Sequence, residues 1–258
     1  MAETEVEVSI PQDLLEKILA SVTSNAVLVG GQSLAFWVSH YGIQLPPQFQ
    51  VGAISDDADF LGGRDDVMAI ARRVDGIPEY TSPRFLSALV GQIKIPLSRH
   101  EYVNVDVLHR LVGLTPQSVR ERASIATVGG TDFLVMHPID VLLSRIENLA
   151  QLAEKQNPQG IEQAKLGVLV ARNYIEDIAK DQPDGQKHGL KVIEYVVKIA
   201  KSGAGRKVSR DFGIDFRGAI PGYGIPIDAF HKVRYPQILQ ELPPMVTVSA
   251  TPSPKATS

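Results

Sequence analysis

Two aspartates stand two positions apart in the otherwise apolar segment Asp57-Ala58-Asp59-Phe60-Leu61. The alternation predicts a β-strand with both carboxylates on one face and with Ala58 and Phe60 on the other. Carboxylates held side by side repel each other, and a cation between them relieves the repulsion. Hard divalent ions such as Mg²⁺ take oxygen ligands and share them with substrate phosphates. The segment therefore predicts a strand with one polar and one apolar face, and it favours metal-assisted phosphoryl chemistry.

The first half of the chain alternates between predicted strands and predicted helices. An apolar run at residues 26–29 ends in Gly30-Gly31 and precedes a helix at 32–41, which gives a strand, a glycine turn and a helix. Residues 42–51 contain Pro46 and Pro47 and predict a loop. Further helices are predicted at 11–22 and 64–74, and further strands at 54–61, 92–96, 102–108, 125–128 and 133–136, the last two joined by a hairpin turn at Gly129-Gly130.

The second half of the chain is predicted to be helical. Residues 202–226 are rich in glycine and basic residues and predict a loop, which includes the superficially nucleotide-binding segment 203–207. Helices are predicted at 140–155, 161–180, 190–201 and 227–242, the last broken near Pro236. The apolar stripe of the first of these helices consists of Leu142, Ile146, Leu149 and Ala153.

These patterns predict an α+β (mixed α/β) fold, in which a small mixed sheet with flanking helices is followed by a helical C-terminal unit. The predicted domains are residues 1–137 for the α/β part and 138–242 for the helical part. Residues 243–258, rich in Pro, Ser, Thr and Ala, predict a disordered tail.

A third acidic candidate lies in the predicted strand 102–108. There Asp106 shares a face with Asn104, while the valines of the segment occupy the opposite face. An aspartate in the middle of an apolar strand disfavours the strand and is costly to bury without a partner. If Asp57, Asp59 and Asp106 lie on adjacent strands, they form one three-carboxylate cluster. Such a cluster can hold two metal ions roughly 3.5–4 Å apart, with Asp106 also available as a base for an attacking hydroxyl.

The glycine pair is a candidate phosphate-binding site. A strand-to-helix turn without side chains lets backbone N–H groups approach a phosphate at a helix N-terminus, and Ser33 adds a hydroxyl two residues after Gly31. The Gly-x-x-x-x-Gly-Lys-Ser/Thr pattern of a P-loop is absent. Taken alone, Gly30-Gly31 is more often a tight turn, and the aspartate pair is as often a solvated edge or a helix cap.

Composition excludes several classes of function. The net charge of −3 lacks the overall positive charge that is typical of general nucleic-acid-binding proteins. The absence of cysteine excludes disulfides, thiolate metal sites and a cysteine nucleophile. The acidic N-terminus lacks the pattern of a signal peptide, and no apolar run approaches membrane-spanning length. A cytoplasmic location is the expectation.

Several other residues have ordinary structural interpretations. The histidines show no metal-ligand spacing, Trp37 is expected in the core, and Asp56 falls on the strand face opposite Asp57. The basic residues of the second half are expected to form a solvated helix face, with contact to an RNA backbone as the alternative. They are Lys187, Lys191, Lys198, Lys201, Arg206, Lys207 and Arg210.

Together, three stretches resemble the motifs of polymerase-β-type nucleotidyltransferases: Val29-Gly30-Gly31-Gln32-Ser33-Leu34, Ser55-Asp56-Asp57-Ala58-Asp59-Phe60 and Val103-Asn104-Val105-Asp106-Val107. Within that superfamily the chain resembles the abortive-infection toxins of the AbiEii/AbiGii type. Their His/Ser-Pro-x-Asp-apolar-Leu phrase, which opens a helix, is similar to Met136-His137-Pro138-Ile139-Asp140-Val141-Leu142. The resemblance spans about residues 26–180.

The resemblance implies a role for each matching residue. Asp57, Asp59 and Asp106 would bind Mg²⁺ or Mn²⁺ and act as the catalytic residues, and Gly30, Gly31 and Ser33 would bind nucleotide phosphates. Arg145 stands where the family usually has a lysine that contacts the triphosphate, and arginine can hold phosphate bidentately. Gln163 and Lys165 would replace a later Lys-Asp-x-x-Asp phrase that this chain lacks. The interval between Gly31 and Asp57 is also longer than the family usually shows.

The resulting hypothesis is a metal-dependent nucleotidyltransferase that moves a nucleoside monophosphate from an NTP to an acceptor hydroxyl. The resemblance adds a toxin-like role, RNA or tRNA as the acceptor, and an antitoxin-like protein partner. Two alternatives stay open at this stage. One is a non-catalytic module of the same fold that binds nucleotide or protein, and the other is a phosphotransferase that uses the same metal site.

Overall fold

The computed structural model describes residues 5–45, 57–82, 87–180, 184–222, 225 and 227–244. The chain divides into two compact units, Met1–Arg145 and Ile146–Ser258. The first contains a mixed sheet with flanking helices, and the described part of the second contains only helices and turns. The predicted α+β fold class is confirmed.

Eight strands in the described part of the chain form one sheet. Its order is β4-β5-β6-β3-β2-β8-β7, and β1 pairs with β6 outside this path. The pairs β3·β6, β2·β8 and β1·β6 are parallel and the other pairs are antiparallel. The strands are β1 Val6–Glu7, β2 Val27–Val29, β3 Ala58–Leu61, β4 Ile77–Tyr80, β5 Leu89–Pro96, β6 Glu101–Leu108, β7 Ser124–Val128 and β8 Thr131–Val135.

The α-helices flank this sheet in the first unit and make up most of the second. The bounds in the first part of the chain are α1 Gln12–Leu19, α2 Gly30–His40, α3 Arg64–Arg73, α4 Pro116–Arg122 and α5 Pro138–Gln151. Those that follow are α6 Pro158–Ile178, α7 Asp184–Lys201, α8 Gly203–Phe212 and α9 Tyr235–Glu241. None of the helices in the described ranges is long and apolar enough to cross a membrane.

The alternation of β6 separates a buried face from a polar face. Val103, Val105 and Val107 are completely buried, whereas Asp106 between them is only half-buried. Helix α3 packs against β5, where a side chain at Gly91 would meet Val67 at 3.3 Å. The apolar face therefore belongs to the core beneath α3, and the acidic side chains lie on the other face.

Most predicted elements of the first unit are present, with shifted ends. Helix α2 begins at Gly30, so the glycine pair forms its first residues instead of a turn before it. Gly129 and Gly130 form the predicted hairpin turn, with φ angles of 58° and 79°. The sequence analysis missed β1, β4 and α4 because each is short, although Thr115 and Pro116 are a typical cap and first residue of a helix.

The loop predicted for residues 202–226 is wrong over its first part, which forms α8. Ser202 caps this helix, since its hydroxyl accepts a hydrogen bond from the N–H of Gly205 at 3.0 Å. A side chain at Gly205 would lie 2.2 Å from the carbonyl oxygen of Ile199. Glycine is therefore needed where α8 starts close to the end of α7, and its presence does not indicate a loop or a nucleotide site.

Helix α3 immediately follows the carboxylate strand and is fixed there by Asp66. This side chain is 5% exposed. It accepts hydrogen bonds from the N–H of Gly63 at 2.8 Å and from the N–H of Thr23 at 3.1 Å. One carboxylate therefore caps α3 and ties the segment after α1 to it.

Replacement of Asp66 by alanine is expected to lower the free energy of unfolding by about 2–3 kcal/mol, because two backbone donors lose a charged acceptor. Urea unfolding measures the change. Asp65→Ala is the matched control, since Asp65 is exposed in the same helical turn and contributes only to the helix dipole, about 0.3–1 kcal/mol. Equal losses in the two variants would contradict the proposed role of Asp66.

Candidate metal centre

The parallel pairing of β3 with β6 brings the three predicted carboxylates together. In this register Asp59 lies beside Asp106, and neighbouring residues on paired strands point to the same face. Asp57 precedes β3 by one residue. One oxygen atom from each of Asp57, Asp59 and Asp106 lies within 4.8 Å of the others, and all three residues are half-buried. The cluster anticipated from strand alternation therefore exists.

This donor set could hold a metal ion. It offers carboxylate oxygens, the ligands preferred by Mg²⁺ and Mn²⁺, and contains no sulfur or imidazole that would favour zinc or copper. Among the described residues, no other set of His, Cys, Asp or Glu side chains shares this geometry.

Gln92 supports the third carboxylate. It lies opposite Asp106 in the antiparallel pair of β5 and β6, and its amide donates a 2.8 Å hydrogen bond to Oδ1 of Asp106. Burial raises the pKa of Asp106; the hydrogen bond from Gln92 opposes this effect, and the carboxylates of Asp57 and then Glu7 reinforce it. Asp106 therefore carries its charge in an environment that a nearby cation would stabilise.

Gly30 lies against the cluster because β2 ends beside Asp59. Val29 pairs with Asp59 in the antiparallel register, and Gly30 follows with φ of +64°. A Cβ atom at Gly30 would lie 1.8 Å from Oδ2 of Asp59 and 2.6 Å from its Cγ. Only glycine lets the first turn of α2, with its N–H groups and the positive end of the helix dipole, approach the carboxylates this closely.

Ser33 lies beneath the glycine pair. Its side chain is 0% exposed, and its hydroxyl donates a 2.9 Å hydrogen bond to the carbonyl of Gly30. The hydroxyl thus holds the glycine turn from inside. Trp37, one helical turn further on, is buried as expected and donates a 2.7 Å hydrogen bond to the carbonyl of Met136, which fixes α2 beside the end of β8.

Arg145 is buried, and the charges of the same carboxylates act on it. The residue is 7% exposed, and its guanidinium donates a 3.3 Å hydrogen bond to the hydroxyl of Ser144. Burial lowers the pKa of Arg145, and the negative charges of Asp59 and Asp57 oppose that effect. The residue that the sequence placed near a triphosphate therefore interacts with the carboxylate cluster itself.

The Pro-Asp phrase fixes the start of the helix that carries Arg145. Asp140 is completely buried and forms a 2.5 Å ion pair with Arg122 at the end of α4. Burial raises the pKa of Asp140 to about 6, and Arg122 opposes this rise. Nδ1 of His137 accepts a hydrogen bond from the N–H of Ile139 at 3.2 Å. This phrase anchors α5 through the ion pair of Asp140 with Arg122.

Of the remaining candidates, Gln163 and Lys165 belong to the second unit, and the others fall outside the described residues. Gln163 is buried in α6, and Lys165 is exposed and pairs with Glu162 at 2.6 Å. Asp56 and the Pro46-Pro47 loop fall in residues 46–56, outside the described ranges.

Sequence reasoning missed Gln92 and the steric role of Gly30. Both depend on strand register, which pairs Gln92 with Asp106 and Val29 with Asp59. Gln92 carries only a weak signal, as a polar residue just before Ile93 and Ile95 in a predicted strand. The burial of Arg145 has a clearer sequence signal, because Arg145 lies three residues after Leu142 and four before Leu149, within the apolar stripe.

Comparison with known proteins adds little to this geometry. No protein-family model matches the chain, and no curated protein matches it. Among solved structures it is similar to the "Crystal structure of putative nucleotidyltransferase from H. pylori", with a TM-score of 0.38 and 12% identity over 89% of this chain and 95% of that one. At this TM-score and identity, the likeness says nothing about the activity of this chain.

Proposed function

We propose that this protein is a metal-dependent nucleotidyltransferase, which transfers a nucleoside monophosphate from an NTP to an acceptor hydroxyl and releases pyrophosphate. The observation that carries the proposal is the contact between two features of the site. Three carboxylates converge within 4.8 Å, and the glycine start of α2 lies directly against one of them. A metal site and an anion-binding helix start placed together suit a metal-bound polyphosphate.

The carboxylates are proposed as the metal ligands, through Asp57, Asp59 and Asp106. Mg²⁺ or Mn²⁺, when bound, would neutralise charge on the phosphate oxygens and make the attacking hydroxyl more acidic. Gln92 keeps Asp106 oriented by its 2.8 Å hydrogen bond. Burial raises the pKa of Asp106, which suits a group that accepts a proton.

The triphosphate is proposed to lie at the start of α2. The N–H groups of Gly30 and Gly31 belong to the first turn, where anions are stabilised. Ser33 contributes through its hydrogen bond to the carbonyl of Gly30, which stabilises the backbone of this phosphate-binding turn. Arg145 is buried within the electrostatic influence of Asp59 and Asp57, and its guanidinium is proposed to contact phosphate oxygens.

In the proposed reaction the acceptor oxygen attacks the α-phosphorus of the NTP. A bond forms between these two atoms while the bond from the α-phosphorus to the bridging oxygen of the β-phosphate breaks. The proton of the acceptor hydroxyl passes to the carboxylate of Asp106, and pyrophosphate leaves with the electron pair of the broken bond. RNA, tRNA in particular, is the proposed acceptor, and an antitoxin-like protein is the proposed partner of this toxin-like enzyme.

The rival interpretations make different demands on the same residues. A non-catalytic binding module would be favoured if Asp106 pointed away from Asp57 and Asp59, and the three carboxylates instead converge. A phosphotransferase would use the same metal centre and move the γ-phosphate. Only the identity of the transferred group distinguishes it from a nucleotidyltransferase.

The test is to incubate the full chain with Mg²⁺, total RNA and NTPs that are labelled either at the α-phosphate or at the γ-phosphate. We expect RNA to gain label from the α-position only. Label from the γ-position would show a phosphotransferase, and no label with any of the four NTPs would support the binding module.

Asp106→Asn is the variant for this assay, because asparagine keeps the size of the side chain and can still accept the hydrogen bond from Gln92. We expect transfer to fall by at least roughly 10²-fold, the size of the usual contribution of a general base. Asp184→Asn is the matched control, since Asp184 is exposed at the start of α7. Full activity of Asp106→Asn would remove Asp106 from the proposed mechanism.

A further inference from the structure

A cavity of about 520 Å³ lies in the second unit, away from the residues of the proposed metal centre in sequence. It is lined by the last residue of α7, by two arginines of α8 and by residues 240–244, which end α9 and follow it. Pockets that hold small organic ligands have volumes of roughly 300–1,000 Å³. The cavity is therefore large enough for a ligand, and its lining indicates which kind.

Part of the lining is apolar and held in place. Leu242, Pro243 and Pro244 contribute this part. Leu242 is 3% exposed, and the carbonyl of Pro243 accepts a 2.8 Å hydrogen bond from Nη1 of Arg217. A pre-formed apolar wall needs no ordering when a ligand binds, so it favours the burial of a flat ring.

Three cations line the same cavity: Lys201, Arg206 and Arg210. Nη1 of Arg206 donates a 2.6 Å hydrogen bond to the carbonyl of Lys201 at the end of α7. This bond uses one of the five N–H donors of the guanidinium. Arg206 and Arg210 are four residues apart on α8, and side chains at this spacing are neighbours. The two guanidinium groups can therefore bind one phosphate together.

The lining carries more positive than negative charge. Among the described residues that line the cavity, Glu241 is the one acid, and hydrogen bonds from Arg234 and then Lys201 lower its pKa to about 2. This carboxylate is therefore ionised and already paired. Arg210 pairs with Asp211 at 2.6 Å, but exposed ion pairs contribute little to stability, so a phosphate can replace Asp211. The cavity therefore attracts an anion.

Gln240 adds an exposed amide to the lining. Its side chain offers one acceptor and one donor side by side. Glutamine amides recognise the edge of adenine in this way, with both hydrogen bonds made at once. The lining thus combines an apolar wall for a flat ring, an amide for the edge of that ring, and cations for a phosphate.

We propose that this cavity binds one nucleotide without a metal ion. The phosphate lies on Arg206 and Arg210, the base lies against Leu242 and the two prolines, and Gln240 binds the edge of the base. Adenine is the expected base. The nucleotide is a free nucleoside monophosphate or one unit of single-stranded RNA, since both present the same base and phosphate. The site is additional to the proposed transfer reaction and does not depend on it.

The experiment is a calorimetric titration of the full chain with AMP, and separately with ribose 5-phosphate, in the presence of EDTA. We expect AMP to bind at least about tenfold more tightly, because only AMP carries a base that can stack on the wall. Arg206→Gln should weaken AMP binding at least about tenfold through the loss of a charge-assisted contact. Arg172→Gln is the matched control, since it removes the same charge from an exposed position on α6 outside the lining and should leave the affinity unchanged.

Two further measurements identify the base contact and the source of the nucleotide. Gln240→Ala should reduce the affinity for AMP and leave that for ribose 5-phosphate unchanged. A short fluorescent single strand of polyadenylate, followed by anisotropy in EDTA, tests the RNA strand. Binding of this strand that is tighter than that of AMP and is lost in Arg206→Gln assigns the site to RNA. Equal or weaker binding assigns it to the free nucleotide.

Three results would overturn the inference. They are no binding of AMP or of the RNA strand, no preference of the wild type for AMP over ribose 5-phosphate when both bind, and wild-type affinity in Arg206→Gln. If Arg206→Gln does not fold, Arg210→Gln decides the question, because the side chain of Arg210 is 70% exposed. EDTA removes the metal that transfer requires, so these titrations stand whether or not the chain proves to be a nucleotidyltransferase.

Discussion

Replacement of Asp59 by asparagine is expected to weaken Mn²⁺ binding strongly and to reduce nucleotidyl transfer by at least roughly 10²–10³-fold, the loss usually seen when one preorganised electrostatic contact is removed. Asp59 lies beside Asp106 in the strand register and against Gly30, and its charge acts on the buried guanidinium of Arg145. Neutralising it removes a metal ligand and also a counter-charge of Arg145. The two remaining carboxylates then attract a divalent ion less strongly than three carboxylates do.

Two measurements are needed to interpret this loss. Mn²⁺ binding by electron paramagnetic resonance reports on the cluster directly, and transfer from α-labelled NTP reports on the reaction. Asp132→Asn is the matched control, because Asp132 is an exposed aspartate of the same sheet that accepts a hydrogen bond from Thr127 at 2.6 Å. If Asp59→Asn keeps wild-type metal binding and transfer, the three carboxylates are not the metal centre.

The carboxylate cluster could be anticipated because its signal is local. Polar residues at alternate positions of an apolar strand must lie on one face, and this holds whatever the rest of the chain does. Asp57 and Asp59 satisfy this condition in one segment, and Asp106 satisfies it in another. Sequence alone predicts which faces these side chains occupy, and the structure adds that the two strands are neighbours in parallel register.

The contacts that complete the site could not be anticipated in the same way. The hydrogen bond from Gln92 to Asp106 and the contact of Gly30 with Asp59 depend on how strands pair across many residues. A shift of one residue in either register would turn the side chain to the other face. For Gly30 and Asp59 the register has no local sequence signal, because the segment between them is as long as residues 31–58.

Glycine was misleading in one place and informative in another, for the same physical reason. At Gly205 a Cβ atom would lie only 2.2 Å from the carbonyl oxygen of Ile199, so the missing side chain allows α8 to start there, inside a segment predicted to be a loop. At Gly30 it allows the approach of a carboxylate. Close approach explains both positions, and the sequence alone does not tell which neighbour approaches.

Replacement of Gly30 by alanine is expected to impair transfer nearly as much as Asp59→Asn does, although alanine adds only a methyl group. Its Cβ would lie 1.8 Å from Oδ2, 2.6 Å from Cγ and 2.8 Å from Cβ of Asp59, so the carboxylate must leave its position. The positive φ of +64° adds strain of about 1–2 kcal/mol for a residue with a side chain. We therefore expect weaker Mn²⁺ binding, slower transfer and a lower free energy of unfolding.

Gly42→Ala separates the strain from the contact. Gly42 has φ of +60°, and a Cβ atom there would meet nothing within 4 Å. This variant should lose about 1–2 kcal/mol of stability through the backbone alone and should keep its Mn²⁺ affinity and its transfer rate. If Gly30→Ala behaves like Gly42→Ala in both assays, the glycine does not serve to admit the Asp59 carboxylate.

A double variant provides the sharper form of this prediction. If Gly30→Ala acts by displacing the carboxylate of Asp59, its effect on Mn²⁺ binding should vanish once Asp59→Asn has already removed that ligand. The transfer rates should likewise be far from additive, because the two changes disable the same group. The strain at φ of +64° does not depend on the charge of Asp59, so the loss of stability from the backbone should persist in the double variant. Additive losses of Mn²⁺ affinity would instead mean that Gly30 and Asp59 contribute to the site independently.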